Sequence, residues 1–105
     1  MTVEVRPLRS AVDSGLSYEV EVGEELGVQR DRESTLHRNA VMLVAGAQPL
    51  AYLPVDAARA LALEMDSGMR VVAEVDEIRA TSDGRRTSLL ITLHESGYGA
   101  DTDIA

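Results

Sequence analysis

The sequence predicts a small, mainly β domain: a barrel of five or six short strands, with one α-helix before the last hairpin. Three observations predict it. Segments with alternating apolar residues recur along the chain, turn signals separate them about every eight to twelve residues, and a single segment has helical periodicity. The length of 105 residues is that of one domain. A sheet this small covers its edges best by curling, and one helix can close the open end.

The first strands are predicted from period-two alternation. Residues 2–6 (TVEVR) alternate before a proline ends the pattern. Residues 17–22 (SYEVEV) alternate strictly, which predicts a strand with Tyr18 on its buried face. The pattern resumes at residues 25–30 (ELGVQR) after a Gly-Glu turn.

A hairpin and a helix follow. Residues 39–46 (NAVMLVAG) are almost continuously apolar, which is typical of an interior strand, and 50–53 (LAYL) predict its hairpin partner. Pro54 suits the first position of a helix, because its φ is fixed and that N–H would be unpaired. Gly68 stands where the C-cap glycine belongs. The apolar residues between them share one helical face: Val55, Ala58, Leu61, Ala62 and Met65.

A second hairpin and a tail complete the chain. Residues 69–78 (MRVVAEVDEI) and 87–94 (TSLLITLH) have strand patterns, and Asp83-Gly84 between them is the strongest hairpin signal in the sequence. Residues 95–105 are rich in Gly and Asp. We therefore expect one domain over residues 1–94 and a disordered acidic tail after it.

Composition narrows the classes of function. The chain has no Cys, so disulfide frameworks, zinc–thiolate sites and cysteine nucleophiles are excluded. The opening MTVEVRPLRS has no apolar signal segment, and no apolar run approaches the length that spans a bilayer. We expect a soluble, cytoplasmic protein with no membrane partner. A domain this small often depends on a partner or a second copy, so a homodimer stays open.

The charge of the chain argues against one mode of nucleic-acid binding. A net charge of −8 has the wrong sign for a protein that grips long stretches of nucleic acid. Screening beyond about 10 Å still permits a local basic loop to hold one phosphate or one strand end. The sequence has ten Arg and no Lys, and Arg offers bidentate phosphate contacts. GC-rich coding is nevertheless the simpler explanation of an all-Arg set.

The polar stretch GVQRDRESTLHRNAV, residues 27–41, is the candidate binding loop. Its arginines could contact phosphates, and its histidine could contact or stack on a terminal nucleotide. The alternative is a solvated loop with ion pairs to Asp31 and Glu33 and an Asx turn before the next strand. The ring of Tyr52 could stack on a base or could cover the barrel end with its hydroxyl in water. The candidate DNA-binding residues are Arg30, Arg32, Leu36, His37, Arg38, Asn39 and Tyr52.

The sequence predicts no catalytic, metal or cofactor site. His37 and His94 have no spacing that would support a metal pair. A nucleophile elbow and a phosphate-binding glycine loop are both missing from the sequence. We expect a protein that is not an enzyme and binds no cofactor.

The order of these pieces resembles the HIRAN domain family over about Tyr18 to Leu93. In that family a Val-Gly-acidic turn and a strand lead into a loop that opens on Arg-Glu/Asp and closes on Asn-Ala-Val. A strand, Gly-Tyr-Leu-Pro and a helix ending in Gly follow. The matching residues are Val22-Gly23-Glu24, Arg30-Asp31, Asn39-Ala40-Val41, Tyr52-Leu53-Pro54 and Gly68. The resemblance, to a free-standing bacterial type of member, implies an OB-like or SH3-like barrel.

The resemblance also implies recognition of single-stranded DNA or its 3′ end, together with a helicase, nuclease or other partner in DNA repair, replication or mobile-element biology. In the DNA-binding members a Tyr-Asp pair in the loop stacks on the terminal base and accepts from the 3′-hydroxyl. Leu36-His37 stand at that place in this sequence. Arg32 and Thr35 replace the loop prolines of the family, and Ala51 replaces its glycine before Tyr52.

A second hypothesis keeps the barrel but assigns it to protein–protein interaction, with the nucleic-acid site lost. Its surface would be the acidic strand faces, which a solvated domain can carry without any partner. Net charge and Leu36-His37 favour this hypothesis, whereas the loop arginines and the family favour DNA, which we rank first. The acidic residues are Glu19, Glu21, Glu24, Glu25, Glu74, Asp76 and Glu77.

Overall fold

The computed structural model describes residues 1–35 and 37–98, and in this range the chain forms six antiparallel strands and three helices. The strands make one sheet in the order β1-β6-β5-β2-β3-β4, curled into an incomplete barrel. The mainly β fold class is confirmed. The elements are β1 Thr2–Val5, α1 Arg9–Asp13, α2 Leu16–Glu19, β2 Glu25–Arg30, β3 Val41–Ala45, β4 Gln48–Tyr52, α3 Val55–Asp66, β5 Met69–Ala80 and β6 Arg86–Tyr98.

The core lies inside the curl and is aliphatic. Its five largest fully buried side chains come from four different strands, so the strands bury one common face. Helix α3 presents mainly alanines to this core, which lets its backbone lie close to the sheet. Val55, predicted on the buried face of the helix, is 50% exposed. The large buried residues include Leu26, Leu43, Leu50, Leu89 and Ile91.

One hydrogen bond brings the two edges of the sheet together. β1 and β4 are the edge strands, and the chain just after β1 approaches β4. There the Leu8 N–H donates to the Leu50 carbonyl at 2.8 Å. At this point the curled sheet is therefore closed by the chain after β1, and part of the β4 edge is covered.

The prediction of a strand at residues 17–22 is wrong, because the chain forms the short helix α2 there. The cause is a long-range contact. The Nη1 nitrogen of Arg86 donates to the Ser17 carbonyl at 2.7 Å and also to the Val20 carbonyl. In a strand these two carbonyls would point in other directions. Tyr18, predicted in the core, is 45% exposed, and the Arg86 guanidinium lies 5.9 Å from its ring centre. A cation from β6 thus selects the helix over the local alternating pattern.

The second half of the chain follows the local sequence signals closely. Pro54 precedes α3 as its N-cap, one position before the predicted one, and Gly68 after its end has a φ of +105°. β5 and β6 form the predicted hairpin around Asp83-Gly84. β6 continues past residue 94 and pairs Tyr98 with Met69. The rest of the predicted tail, 99–105, lies outside the described residues.

Candidate nucleic-acid interface

The candidate stretch 27–41 includes the end of β2 and the start of β3, and residues 31–40 form the loop that projects from this hairpin. Arg30 and Val41 are paired at its base. The Asp31 N–H donates to the Ala40 carbonyl at 3.0 Å and extends the pairing by one step. The loop therefore leaves the sheet from a fixed base.

Arg30 is a structural residue of the loop. Its side chain is 11% exposed, and its Nε donates to Asp66 Oδ1 at 2.9 Å. The other nitrogens donate inward, Nη1 to the Ala40 carbonyl at 2.8 Å and Nη2 to the Arg38 carbonyl at 3.2 Å. The Arg30 guanidinium therefore connects both ends of the loop to the last residue of α3, and few of its N–H groups remain for a ligand.

Arg32 contacts the same carboxylate from the outside. Its Nη2 lies 2.7 Å from Asp66 Oδ1, yet its side chain is 65% exposed. Asp66 thus neutralises part of the charge of both arginines. Since exposed ion pairs are worth little, Arg32 can exchange this contact for a phosphate at small cost.

Sequence reasoning missed Asp66, which lies 36 residues from Arg30. A physical signal was present, because Asp66 is the last residue of α3 and a carboxylate at a helix C-terminus is unfavourable unless a cation compensates it. The signal implies a cation nearby, but it does not say which one.

Tyr52 and Asp31 form a second internal contact. The Tyr52 hydroxyl donates to Asp31 Oδ2, a contact that neither alternative for this residue included. Asp31 Oδ1 accepts the Glu33 N–H at 3.2 Å, which turns the chain at the start of the loop. The hydrogen bond to Asp31, followed by burial, raises the pKa of Tyr52 above its ordinary value of 10.0. Its ring is half-buried beside the loop.

We expect Tyr52 to ionise at higher pH than a free tyrosine. A raised pKa stabilises the fold below pH 10.0, and this contribution is lost as the pH rises through the folded-state value. The difference in 295 nm absorbance between wild type and Tyr52→Phe isolates this titration. Asp31→Asn should move it back toward the ordinary value. An unchanged midpoint in Asp31→Asn would show that the contact does not hold the loop in solution.

Asp66 provides a pH-dependent contribution to stability. The hydrogen bond from Arg30, followed by the charges of Arg30 and Arg32, lowers the pKa of Asp66 below its ordinary value of 3.8 despite some burial. A lowered pKa means that the ionised carboxylate stabilises the fold above pH 3.8. The contribution is lost as the pH falls through the folded-state value.

We therefore expect Asp66→Asn to flatten the acid limb of the stability curve. The Tm of wild type should fall as the pH drops from about 5 to about 2, and the Tm of the variant should fall less. Asp13→Asn, the same change at an exposed residue of α1, is the matched control. Parallel curves for wild type and Asp66→Asn would contradict the role of Asp66.

The remaining candidates lie along the outer part of the loop. The Arg38 side chain is exposed, and His37 and Asn39 are half-buried. The His37 carbonyl accepts the Ala40 N–H at 3.3 Å, which shapes the return to β3. Leu36 lies outside the described residues. The structure thus gathers the candidate side chains that it describes around one loop and leaves Arg32 and Arg38 on its surface.

In the part of the chain that the structure describes, one of the two predicted acidic strand faces is formed. Glu74, Asp76 and Glu77 are exposed on β5, whereas the first acidic group does not lie on a single strand. Glu19 belongs to α2, and the Glu21 N–H donates to Glu24 Oε1 at 3.1 Å in the turn after it. Glu25 and Glu74 do lie directly opposite each other on β2 and β5. This like-charged pair is unfavourable for the sheet itself.

Over residues 1–35 and 37–98, no group of three or more His, Cys, Asp and Glu side chains is placed to hold a metal ion. None of the helices described combines the length and the apolar character that crossing a bilayer requires. The His94 ring lies 3.8 Å from Glu74 on the β5–β6 ladder, whereas His37 is in the loop.

Comparison with known proteins identifies the fold. No protein-family model matches the sequence, and no curated protein matches it. Among solved structures, the chain is similar to a small β domain, the HIRAN domain of human HLTF seen by crystallography. The TM-score is 0.61 with 20% identity, over 98% of this chain and 78% of that chain. At this identity the likeness establishes the fold: the chain has a HIRAN-like fold, as the order of its motifs predicts.

Proposed function

We propose that the chain is a non-catalytic HIRAN-like module that binds single-stranded DNA or a DNA 3′ end and acts with a DNA-processing protein. The observation that carries the proposal is that the loop arginines have different roles. Arg30 fixes the loop to α3, whereas Arg32 and Arg38 are exposed on the surface of that loop. A preorganised loop with exposed guanidiniums is suited to holding phosphates.

The charge of the chain limits such a site to a few phosphates. With Arg32 and Arg38 as the phosphate contacts, the logarithm of the affinity should fall with the logarithm of salt concentration with a slope of about −1.4. The rest of the acidic surface disfavours longer contacts, because the net charge is −8. We therefore infer recognition of a strand end or a short single strand, with duplex DNA excluded.

Base contacts would come from the edges of the loop. The half-buried Tyr52 ring is held by Asp31, and stacking a base on such a ring is worth roughly 1–3 kcal/mol. His37 can accept from or donate to a terminal hydroxyl through its ring nitrogens. It replaces a carboxylate of the family pattern, so selectivity for a free 3′-hydroxyl should be weaker than a carboxylate would provide.

Fluorescence anisotropy tests this proposal. A labelled single strand with a free 3′-hydroxyl is compared with the same strand carrying a 3′-phosphate and with a duplex, at low and moderate salt. We expect binding to both single strands, with a preference for the free hydroxyl, and weak binding to the duplex. No binding to any strand at tens of micromolar protein would refute the proposal.

A second candidate function, interaction with a basic protein through the acidic surface, is favoured by the Glu25–Glu74 pair. Two carboxylates directly opposite each other cost the sheet stability, and a docked cation would relieve that cost. A pull-down with wild type and Glu74→Arg tests this candidate. A docking face should lose its partner on charge reversal, and an unchanged set of partners would exclude it.

A further inference from the structure

The barrel wall has a gap between β2 and β5. The ladder between these strands ends at the Gly27–Val72 pair. Nevertheless, β2 continues to Arg30 and β5 already begins at Met69. In the part of the chain that the structure describes, the end of β2 and the start of β5 therefore separate instead of pairing.

The gap opens into a cleft of about 430 Å³ with a mainly apolar lining. Val28 from β2, Met65 from α3, and Met69 and Val71 from β5 contribute to this lining. Thioether side chains are flexible and polarizable, so they adapt to apolar groups of different shape. Among the described residues that line the cleft, Arg70 alone is charged. The cleft therefore suits an aliphatic group that lies close to a carboxylate.

The apolar and the cationic parts of the lining lie on opposite sides of β5. Met69 and Val71 are buried on the core side of the strand, and Arg70 between them is exposed on the outer side. An extended chain in the cleft alternates in the same way. The sequence that fits best has acidic residues at every second position and an aliphatic residue between or beside them.

The main chain of β2 also has an open side toward the cleft. The Asp31 N–H donates to the Ala40 carbonyl on the β3 side. Main-chain groups of alternate residues in an antiparallel strand point the same way, so those of Val28 and Arg30 point away from β3 and toward the cleft. Within residues 1–35 and 37–98, no strand pairs with β2 at these two positions on that side.

The chain itself supplies a matching segment directly after β6. Residues 99–105 read GADTDIA. In an extended conformation Asp101 and Asp103 share one side of this segment, and Thr102 and Ile104 share the other. Gly99 stands before them and suits a reversal of the chain direction.

The segment also starts in the right place. Tyr98, the last described residue, is paired with Met69 at the edge of the cleft. The gap lies on the other side of β5, about 10 Å from β6, since neighbouring strands are about 4.8 Å apart. The six steps from Tyr98 to Ile104 span about 20 Å when extended. The chain is therefore long enough to turn and enter the cleft.

We propose that residues 99–105 fold back into this cleft and occupy it as an extended segment. Ile104 packs against the two methionines, the carboxylates of the segment lie beside Arg70, and its main chain pairs with the open side of β2. Strand addition to an open edge is a general mode of peptide recognition. The docked segment completes the barrel wall and holds the end of β2, from which the 31–40 loop leaves. This inference does not depend on DNA binding.

Nuclear magnetic resonance of the ¹⁵N,¹³C-labelled chain tests the inference. We expect backbone order parameters of about 0.8 for residues 101–104, as in a rigid backbone. Nuclear Overhauser effects should connect the Ile104 methyl groups with those of Met65 and Met69. Order parameters below about 0.6 without these Overhauser effects would support the disordered tail predicted from the sequence and would overturn the inference.

Charge variants test the role of Arg70. Arg70→Glu should release the segment, so that the order parameters of residues 101–104 fall below about 0.6. Combining it with Asp101→Arg and Asp103→Arg should restore them, because the charges are exchanged. Arg85→Glu, the same change at an exposed residue of the β5–β6 turn, is the matched control and should leave them unchanged.

Hydrogen exchange tests the pairing with β2. A chain that ends at Tyr98 should exchange the Val28 and Arg30 amides about tenfold faster than the full chain, because their hydrogen bonds to the segment are lost. The amide of Leu26, which is already paired with Ala73 of β5, should change less than twofold. Equal effects at Leu26 and at Val28 would contradict the pairing.

Two further results would overturn the inference. The first is an ordered segment in Arg70→Glu, which would show that this cation does not hold it. The second is an ordered segment that is released by Arg38→Glu and not by Arg70→Glu, which would place the acidic residues against the 31–40 loop instead of in the cleft.

Discussion

Replacing Arg30 by methionine should destabilise the domain by about 2 kcal/mol, a fall in Tm of roughly 10 °C. Methionine keeps most of the aliphatic stem but removes the guanidinium that donates to the carbonyls of Ala40 and Arg38. Those acceptors then lose charge-assisted hydrogen bonds, and Asp66, at the end of a helix, keeps only the exposed Arg32 as a partner among the loop arginines. Thermal unfolding followed by circular dichroism measures the change.

Arg32→Met is the matched control for Arg30. It removes the same functional group from the same carboxylate, but from a side chain that is 65% exposed rather than 11%. We expect its Tm to change by only a few degrees, because exposed ion pairs contribute little. Equal losses of stability in the two variants would show that Arg30 does not organise the loop as the structure indicates.

The second large effect concerns DNA binding. Arg38→Ala should weaken binding of a short single strand about fivefold at low salt, the loss of roughly one charge-assisted contact. The salt slope should become less negative by about 0.7, since one phosphate contact is removed. Anisotropy titrations at several salt concentrations give both quantities.

Arg85→Ala is the control for Arg38. Arg85 is also exposed but lies in the turn between β5 and β6, so the change in net charge is the same at a site away from the loop. We expect a small loss of affinity and an unchanged slope. If Arg38→Ala and Arg85→Ala behave alike, binding depends on overall charge and the loop is not the site.

The parts of the fold that sequence predicts well are those set by local chemistry. The hairpin at Asp83-Gly84 needs a turn with positive φ, and Gly84 supplies a φ of +87°. Helix α3 follows Pro54 and ends before Gly68, both of which act through their own backbone preferences. These elements depend on residues that are neighbours in the chain, so a pattern can reveal them.

The parts that sequence does not predict depend on contacts between distant residues. SYEVEV has the alternation of a strand, but Arg86 holds the carbonyls of Ser17 and Val20 in the geometry of a helix end. Alternation reports which side chains are apolar, and it cannot report a cation that arrives from β6.

The candidate site also has features that the sequence predicts and features that depend on distant contacts. Its position in the β2–β3 loop and its length follow from the order of the motifs, and the structure places the loop there. The roles within the loop do not follow, because Arg30 and Arg32 look alike in the sequence. Both contact Asp66 on α3. The burial of Arg30 and its hydrogen bonds to two loop carbonyls distinguish it from the exposed Arg32.

The most direct test of the proposed function is a map of the residues that contact a short single strand in solution. Nuclear magnetic resonance of the ¹⁵N-labelled chain, titrated with an oligothymidylate bearing a free 3′-hydroxyl, provides it. We predict that the amide shifts concentrate at residues 31–40 and at Tyr52, and that Arg38→Ala reduces them. Shifts confined to residues away from this loop and Tyr52, or no shifts at all, would contradict the assignment of this loop as the DNA-binding surface.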